Sequence, residues 1–346
     1  MEKILTVIVP TYNMEKYLDR CLSSLIVSDK HMDMLEVLVV NDGSRDRSSE
    51  IAHRYESEYP GSFRVIDKTN GHYGSCVNRG LKEAAGKYVK VLDADDWFDT
   101  GNFDPYLDFL AGTGCDLVIS ESCTLGENDI VLGEWKYSMT PGTAYPIKRL
   151  PEFSDGNLEH QILAYRRELL QKIAYSQTEG IAYTDLEWIY KPMAAVSDFI
   201  YFPHKVYVYQ QAREGQSVSP ENHCRDIWME QGVIMDLVRL YEKQKTGIRE
   251  ENRTVSKLVV GSFIQRMYYH YLIDYPGILP NDGLVKFDAG ILGESPELYG
   301  SVAEASARVG RMKMRFVSEW RRHKNRRTLK FRYMDLRKAA HRLISR

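Results

Sequence analysis

The first hundred residues alternate four short strand-like runs with three helical patterns, and this alternation restricts the fold more than any other feature. Ile4 to Val9, Leu35 to Val40, Phe63 to Asp67 and Lys87 to Leu92 read as strands, the first an apolar β-branched run buried on both faces. Asn13 is placed to cap the first helix, whose Tyr17, Leu18, Cys21, Leu22, Leu25 and Ile26 form one face. Ser44 is placed to cap the second, with Ile51, Ala52, Tyr55 and Tyr59 inward, and Ser75 to Ala85 forms the third, ended by Gly86. Such alternation implies a parallel sheet with right-handed crossovers. Ligands of these sheets bind beyond the carboxyl ends of the strands. The polar signals fall there, at Thr11 to Asn13, Asn41 to Ser44, Asn70 to Gly74 and Asp93 to Asp96.

After Gly101 the pattern changes. Cys115 to Ser120 reads as a strand, and residues 121–160 read as irregular, with Pro141, Pro146 and Pro151. Helices are predicted over His160 to Ala174 and Thr184 to Ala195, strands over Asp198 to Phe202 and Val206 to Gln210, and helices from Asp226 onward. This divides the chain into 1–100, 101–225 and 226–346, the last a helical region with a basic tail. No run of about 18 apolar residues is present, and the first residues lack the features of a signal peptide. The five cysteines form no C-x-x-C pair and read as buried free thiols of a cytoplasmic protein.

Residues 308–346 hold fifteen Lys or Arg against two acids, a net +13, while residues 1–307 hold 31 basic and 46 acidic residues, a net −15. Phe316, Trp320, Leu329, Phe331, Tyr333, Leu336, Leu343 and Ile344 are spaced through this tail. The pattern suits an amphipathic helix on an anionic membrane surface. It equally suits a tail that packs on the acidic body. The body has no RNA-binding motif and is itself acidic, so no nucleic-acid partner is expected.

Asp93-Ala94-Asp95-Asp96 is the sharpest chemical signal. Three carboxylates in four residues repel one another, and a hard divalent cation removes that cost. The same residues also make an acidic turn that caps the next element. Asn41-Asp42-Gly43-Ser44 offers a carboxylate to a base or ribose, or simply a turn and a cap. Asn70-Gly71-His72-Tyr73-Gly74 precedes a helix, where backbone amides suit an anion or ribose, but it matches neither a P-loop nor a dinucleotide fingerprint. Thr184-Asp185-Leu186-Glu187 reads as a capping box, with Thr184 the cap and Glu187 reaching back, or as a presentation of Asp185 as a general base.

Four strings, Val7-Ile-Val-Pro-Thr-Tyr-Asn13, Val39-Val-Asn-Asp-Gly-Ser44, Asn70-Gly-His-Tyr-Gly74 and Val91-Leu-Asp-Ala-Asp-Asp96, occur in the order found in family 2 glycosyltransferases, which the chain resembles over about residues 4–215. The resemblance implies a GT-A fold, an α/β architecture with a Rossmann-like mixed, mainly parallel sheet, here with a helical C-terminal extension. It implies an inverting transferase that moves a sugar, such as a hexose or N-acetylhexosamine, from a nucleotide diphosphate, UDP favoured. The acceptor is a hydroxyl of a glycan or lipid-linked molecule in bacterial surface polysaccharide synthesis. Pro10, Thr11 and Tyr12 then line the base and Asp42 reads base or ribose. Asn70, Gly74 and Asn78 belong to the nucleotide site. Asp93-Ala94-Asp95 is the D-x-D motif, with Asp93 toward the ribose and Asp95 on Mn²⁺ or Mg²⁺, and Asp96 is a further candidate ligand. Asp185 stands where the family places its base, and Arg213 with Gln216-Ser217 matches a segment that closes over the diphosphate. A cytoplasmic enzyme, peripheral on the inner face of the membrane, follows from this reading. A nucleotidyltransferase of similar fold and a non-catalytic nucleotide-sugar binding protein are the alternatives.

Overall fold

The computed structural model describes residues 2–211, 216, 219–309 and 312–344. It divides into two units: 1–154 with 158–216 and 250–255, and 155–157 with 217–249 and 256–346.

The first unit is built on strands β1 (Leu5–Thr11), β2 (Leu35–Asn41), β3 (Phe63–Asp67), β4 (Tyr88–Val91), β5 (Trp97–Phe98), β6 (Leu117–Leu125), β7 (Val131–Trp135), β8 (Ala144–Pro146), β9 (Leu163–Arg166) and β10 (Asp198–Gln210). They form one mixed sheet in the order β3-β2-β1-β4-β9-β6-β10-β5, with β7 on β6 and β8 on β10. β1 to β4 are mutually parallel and β10 is parallel to β6, whereas β9 runs antiparallel between β4 and β6. The strands of the parallel block are apolar on both faces because helices cover both sides. Leu5, Val7, Val9, Val37, Val39 and Tyr88 lie in the core cluster together with Leu18, Leu22, Ala52 and Tyr55.

The helices of this unit are α1 (Leu18–Ser23), α2 (Asp29–Met32), α3 (Ser48–Glu58), α4 (His72–Glu83), α5 (Thr100–Gly112), α6 (Arg167–Lys172) and α7 (Asp185–Tyr190). Two expected caps are not caps. Asn13 sits at φ 54° and its Oδ1 accepts from the Arg45 amide at 2.8 Å, while the Ser44 hydroxyl accepts from the Asn13 amide at 3.0 Å. The loops after β1 and β2 are thus laced to each other, and α3 begins four residues later than Ser44. The helix predicted over His160 to Ala174 is also corrected. Leu163–Arg166 is a strand in the middle of the sheet, and only Arg167–Lys172 is α-helical. Ala164 and Tyr165 are fully buried, and the short run Leu163 to Arg166 has too few residues for periodicity to separate strand from helix. The two strands expected over 198–210 are one, irregular between Tyr201 and Tyr207.

The second unit contains α8 (Pro220–Gln244), most of α9 (Glu250–Tyr269), α10 (Asn281–Glu294), α11 (Pro296–Ser301), the hairpin β11 (Ala307–Val309) and β12 (Met312–Met314), α12 (Phe316–Arg322) and α13 (Leu329–Ile344). Ser219 caps α8 by accepting from the Asn222 amide, and Pro220 occupies its first position, where no N–H is required. Phe316, Trp320, Phe331 and Met334 of the basic segment are buried. The Trp320 indole donates to Asn281, and Arg321 pairs with Asp288 at 2.7 Å. This part of the tail is therefore a packed element. Leu329, Tyr333 and Leu336 remain exposed, spaced four and three residues apart on one face of α13. Among the described residues no helix is long and apolar enough to cross a membrane.

Candidate active site

Pairing geometry opens the crevice. β1 pairs with β2 through Thr11 and Asn41, but its ladder with β4 ends at Ile8 and Val91. Pro10, which has no N–H to offer the β4 side, falls just past that point. The chain leaving β4 turns away there into Asp93–Asp96, while the chains leaving β1 and β2 continue beside it.

The β2 end is drawn into a tight knot. Asp42 is 2% exposed; its carboxylate accepts from the Lys68 ammonium and, at 2.9 Å, from the Gly71 amide. Lys68 also donates to the Ser75 hydroxyl at 2.8 Å, and Nδ2 of the Asn70 side chain donates to the Asp42 carbonyl at 3.1 Å. Gly43 follows at φ 72°, with a Cβ there 3.3 Å from the Asn70 nitrogen and the Lys68 carbonyl. Only glycine takes that turn without strain. At the β1 end Thr11 is buried and turns its hydroxyl onto the Val9 carbonyl, Pro10 is half-buried, and the Tyr12 ring is 43% exposed at the mouth.

The four residues after β4 divide by depth. Asp93 and Asp95 are half-buried, and Ala94 and Asp96 are buried. Asp93 accepts from the Tyr73 hydroxyl at 3.0 Å, and its second oxygen lies 3.2 Å from Nε2 of His160. Asp96 lies deepest of the three acids. It is 1% exposed, and both its oxygens are taken, by the Tyr207 hydroxyl at 2.6 Å and the Gln210 amide at 2.8 Å. Tyr207 in turn accepts from the Asp93 amide at 3.1 Å. Asp96 therefore fixes the acid turn to β10, and its burial places it less openly for an ion than Asp93 or Asp95.

Negative potential accumulates around this turn. Burial, then Asp95 and Asp93, push the Asp96 carboxyl well above the usual carboxylate range. Burial, then the carboxylates of this turn, Asp96 and Asp93 in each case, raise the Cys21 thiol and the phenols of Tyr207 and Tyr209. A cation relieves such a field, and carboxylate oxygens suit Mg²⁺ or Mn²⁺. Asp95, with Asp93 beside it, fits that role. Each carboxylate oxygen has two lone pairs, so the bonds to Tyr73 and His160 leave Asp93 acceptor capacity.

The opposite flank presents Asp185 in the first turn of α7. Nδ1 of His160 lies 3.8 Å from an Asp185 oxygen, so one buried imidazole stands between Asp93 and Asp185. Burial pushes the His160 pKa down, but the Asp93 charge and hydrogen bond and the Asp185 charge outweigh it, and the net shift is upward. The expected capping box is not formed. Thr184 makes no cap bond; its hydroxyl donates to Gln177 at 3.1 Å. Glu187 instead accepts from the Thr178 amide at 2.7 Å and hydroxyl at 2.8 Å, and pairs with Lys191. The residue before Thr184, Tyr183, sits at φ 64°, an uncommon conformation for a side chain of that size.

Gly74 and Asn78 hold this flank in place. A Cβ on Gly74 would stand 2.1 Å from the Thr178 carbonyl. Asn78 accepts from the Gln177 amide at 2.7 Å and donates to the Gln177 carbonyl and to Glu179, both at 2.9 Å. Together they dock loop 176–179 on α4, and through Glu187 that loop seats α7. A cavity of about 450 Å³ beside Asn78, between α4 and α6, is lined by none of Asp42, Asp93, Asp95 and Asp185. Arg213 and Ser217 lie outside the described residues, and Gln216 donates to Tyr209 and to the Gln210 carbonyl.

Residues 6–174 match the sequence model of the family described as Glycosyl transferase family 2. This span is a glycosyl transferase family 2 domain. The matched span of the family 2 domain includes the acid turn and His160 but stops short of Asp185. An uncharacterized glycosyltransferase, MG025 of Mycoplasma genitalium, is 37% identical over 128 residues, which are 36% of this chain and 42% of that protein. The minor teichoic acid biosynthesis protein GgaB of Bacillus subtilis is 38% identical over 104 residues, 30% of this chain and 12% of that protein. Both matches span less than half of the relative's own length. The structure of S. aureus TarS residues 1–349 in complex with UDP-GlcNAc superposes with a TM-score of 0.55 at 18% identity, covering 90% of this chain and 95% of that one. That likeness is one of fold, and the fold is the GT-A type with a helical C-terminal region.

Proposed function

We propose that this glycosyltransferase moves a sugar from a nucleotide diphosphate, UDP favoured, to a hydroxyl of a glycan or lipid-linked acceptor, with inversion at the anomeric carbon. The observation that carries the reading is the line Asp93–His160–Asp185, in which the buried His160 ring stands between two half-buried carboxylates. It sets a candidate base across one imidazole from the acid turn, at the carboxyl ends of parallel strands. GgaB is named for teichoic acid synthesis and the TarS structure holds UDP-GlcNAc, which favour bacterial surface polysaccharide as the product and a UDP-sugar as the donor.

In this reading Tyr12, Pro10 and Thr11 border the base, Asp42 and Asn70 stand at the base or ribose, and Asp93 faces the ribose. Asp95, with Asp93, would hold Mn²⁺ or Mg²⁺, which when bound offsets charge on the departing diphosphate. Asp185 takes the proton of the acceptor hydroxyl as its oxygen bonds to the anomeric carbon and the bond to the diphosphate oxygen breaks on the opposite face. His160 separates the two carboxylates and, with its ring protonated, lowers their mutual repulsion. A panel of nucleotide sugars assayed for nucleoside diphosphate release, with product anomers assigned by NMR, tests this. Pyrophosphate release would point to nucleotidyl transfer instead, and donor binding without turnover to a sensor.

The exposed stripe Leu329, Tyr333 and Leu336, flanked by exposed Lys330 and Arg332, favours contact with an anionic membrane at its cytoplasmic face. Because Trp320 and Phe331 are core residues, removing the whole tail is a poor test. Leu329→Ser/Tyr333→Ser/Leu336→Ser spares the buried face. At low salt the parent chain should co-sediment with anionic vesicles and the triple variant should stay in the supernatant; equal recovery of both ends the membrane reading.

A further inference from the structure

Far along the chain from the acid turn, His223, Glu230 and His270 each bring one ligand-type atom to within 4.8 Å of the other two. His223 and Glu230 are seven residues apart on α8, two helical turns, and so project from one face. His270 opens a π-helical turn, His270–Asp274, that follows α9. Such turns occur mostly as single local interruptions and frequently at functional sites. Side-chain exposures are 7%, 4% and 15% for His223, Glu230 and His270, so the group is enclosed.

The outer partners are those of a metal centre. A ligating imidazole almost always has its second nitrogen oriented by a carboxylate or another polar group. Nδ1 of His270 lies 3.1 Å from an Asp274 oxygen, which the π turn brings alongside it. Nδ1 of His223 lies 3.3 Å from the Tyr275 hydroxyl, and its Nε2 lies 2.8 Å from Glu230 Oε2. Arg266 holds the other Glu230 oxygen at 3.2 Å. The two rings meet edge to face with centroids 4.6 Å apart.

We propose that His223, Glu230 and His270 bind one borderline divalent cation, Zn²⁺ in type, as a clip between α8 and the end of α9. Two imidazoles and one carboxylate form a nitrogen-rich set that suits Zn²⁺, whereas the oxygen set at Asp93 and Asp95 suits Mg²⁺ or Mn²⁺. The two places therefore sort metals by ligand softness. Binding replaces the His223–Glu230 hydrogen bond. His223 then carries its proton on Nδ1, where the Tyr275 oxygen accepts it, and any second proton goes to solvent.

The test uses the full chain stripped by a chelator and dialysed. Titration with Zn²⁺ should load a site that persists in Asp95→Ala and is lost in His270→Gln and in Glu230→Gln, and Tm should rise with Zn²⁺ concentration. Co²⁺ should give the visible absorption of a four-coordinate nitrogen and oxygen site in the parent chain and in Asp95→Ala. Zn²⁺ loading abolished by Asp95→Ala, or unchanged in both His270→Gln and Glu230→Gln, overturns the proposal. Should those two variants fail to fold, the parent chain and Asp95→Ala decide it, since a Co²⁺ spectrum without such bands overturns the proposal by itself.

Discussion

On the strand-end flank of the acid site, Asp42, Asp93 and Asp95 stand on turns that directly follow β2 and β4. On the other flank, His160 and Asp185 take their places from partners far off in the chain. Asp93 meets His160 across 67 residues, and Asn78 holds Gln177 across 99. The first flank is a product of strand, turn and helix in immediate succession. The second is assembled by docking loop 176–179 on α4 and seating α7 on that loop. Substitutions on the first flank should therefore act on ligands directly, and on the second through the placement of Asp185.

The largest effect expected is on the strand-end flank. Asp95→Ala should abolish transfer and metal-dependent donor binding while the fold, followed by circular dichroism, is kept. Asp95 is half-buried and stands where the field of the cluster calls for a cation, whereas Asp96 is locked to Tyr207 and Gln210. Full parent activity after prolonged chelation would remove the metal from this flank altogether.

Next comes the docked flank. Asp185→Asn keeps shape but cannot take a proton, and turnover should fall by about 10²-fold or more with donor affinity largely retained. Since Thr184 makes no cap bond and Glu187 is engaged by Thr178, little stability should go with it. Near-normal turnover joined to a lowered Tm would mean that Asp185 serves the helix end and not the chemistry.

A smaller effect is expected at Asp42. Asp42→Ala should weaken UDP binding by about tenfold, equivalent to about 1.4 kcal/mol, more than it slows saturated turnover. Its carboxylate holds the Gly71 amide and Lys68 in the loop that borders the proposed ribose. An unchanged UDP dissociation constant by calorimetry would show that this knot serves the turn alone.

The contrast between flanks also explains what could be read in the chain. Four strands, the crevice at their ends and the acid turn follow from local periodicity and from polar residues just past each strand. Depth is not local. Nothing in Asp93-Ala94-Asp95-Asp96 says that the fourth residue faces inward, because that is decided by Tyr207 and Gln210 on β10. His160 carried no signal for the same reason: it was placed at the start of a predicted helix, whereas Leu163 to Arg166 pairs between β4 and β6. In the loop Asn70 to Gly74 the glycines and the helix end are the local signals, yet the residue that reaches the acid turn is Tyr73. Thr184 to Glu187 matched a cap by spacing, and a neighbouring backbone amide at Thr178 competed successfully for Glu187.

Lys90 joins the two flanks, and its effect falls on stability alone, not on ligands or turnover. It lies on β4, fully buried, and donates to the Gln161 carbonyl at 2.5 Å and the Leu163 carbonyl at 3.4 Å, on either side of Ile162. Burial lowers its pKa from 10.5 to about 7. Between those values the unfolded chain binds the proton that the folded chain has released. Stability tied to this amine is then fully present above about pH 10.5 and is lost as pH falls to about 7. Its contribution has a slope of at most about 1.4 kcal/mol per pH unit. The buried thiols Cys21 and Cys76 act in the opposite direction, since burial raises them and the unfolded thiols ionise first as pH climbs. The difference between the parent chain and Lys90→Met isolates the amine from them. Denaturant melts at pH 7.0, 7.7 and 8.4 should show the parent gaining stability relative to Lys90→Met as pH rises. Parallel curves would mean that the two carbonyls keep Lys90 charged, and that the link between the flanks is an ion held by dipoles instead of a neutral amine.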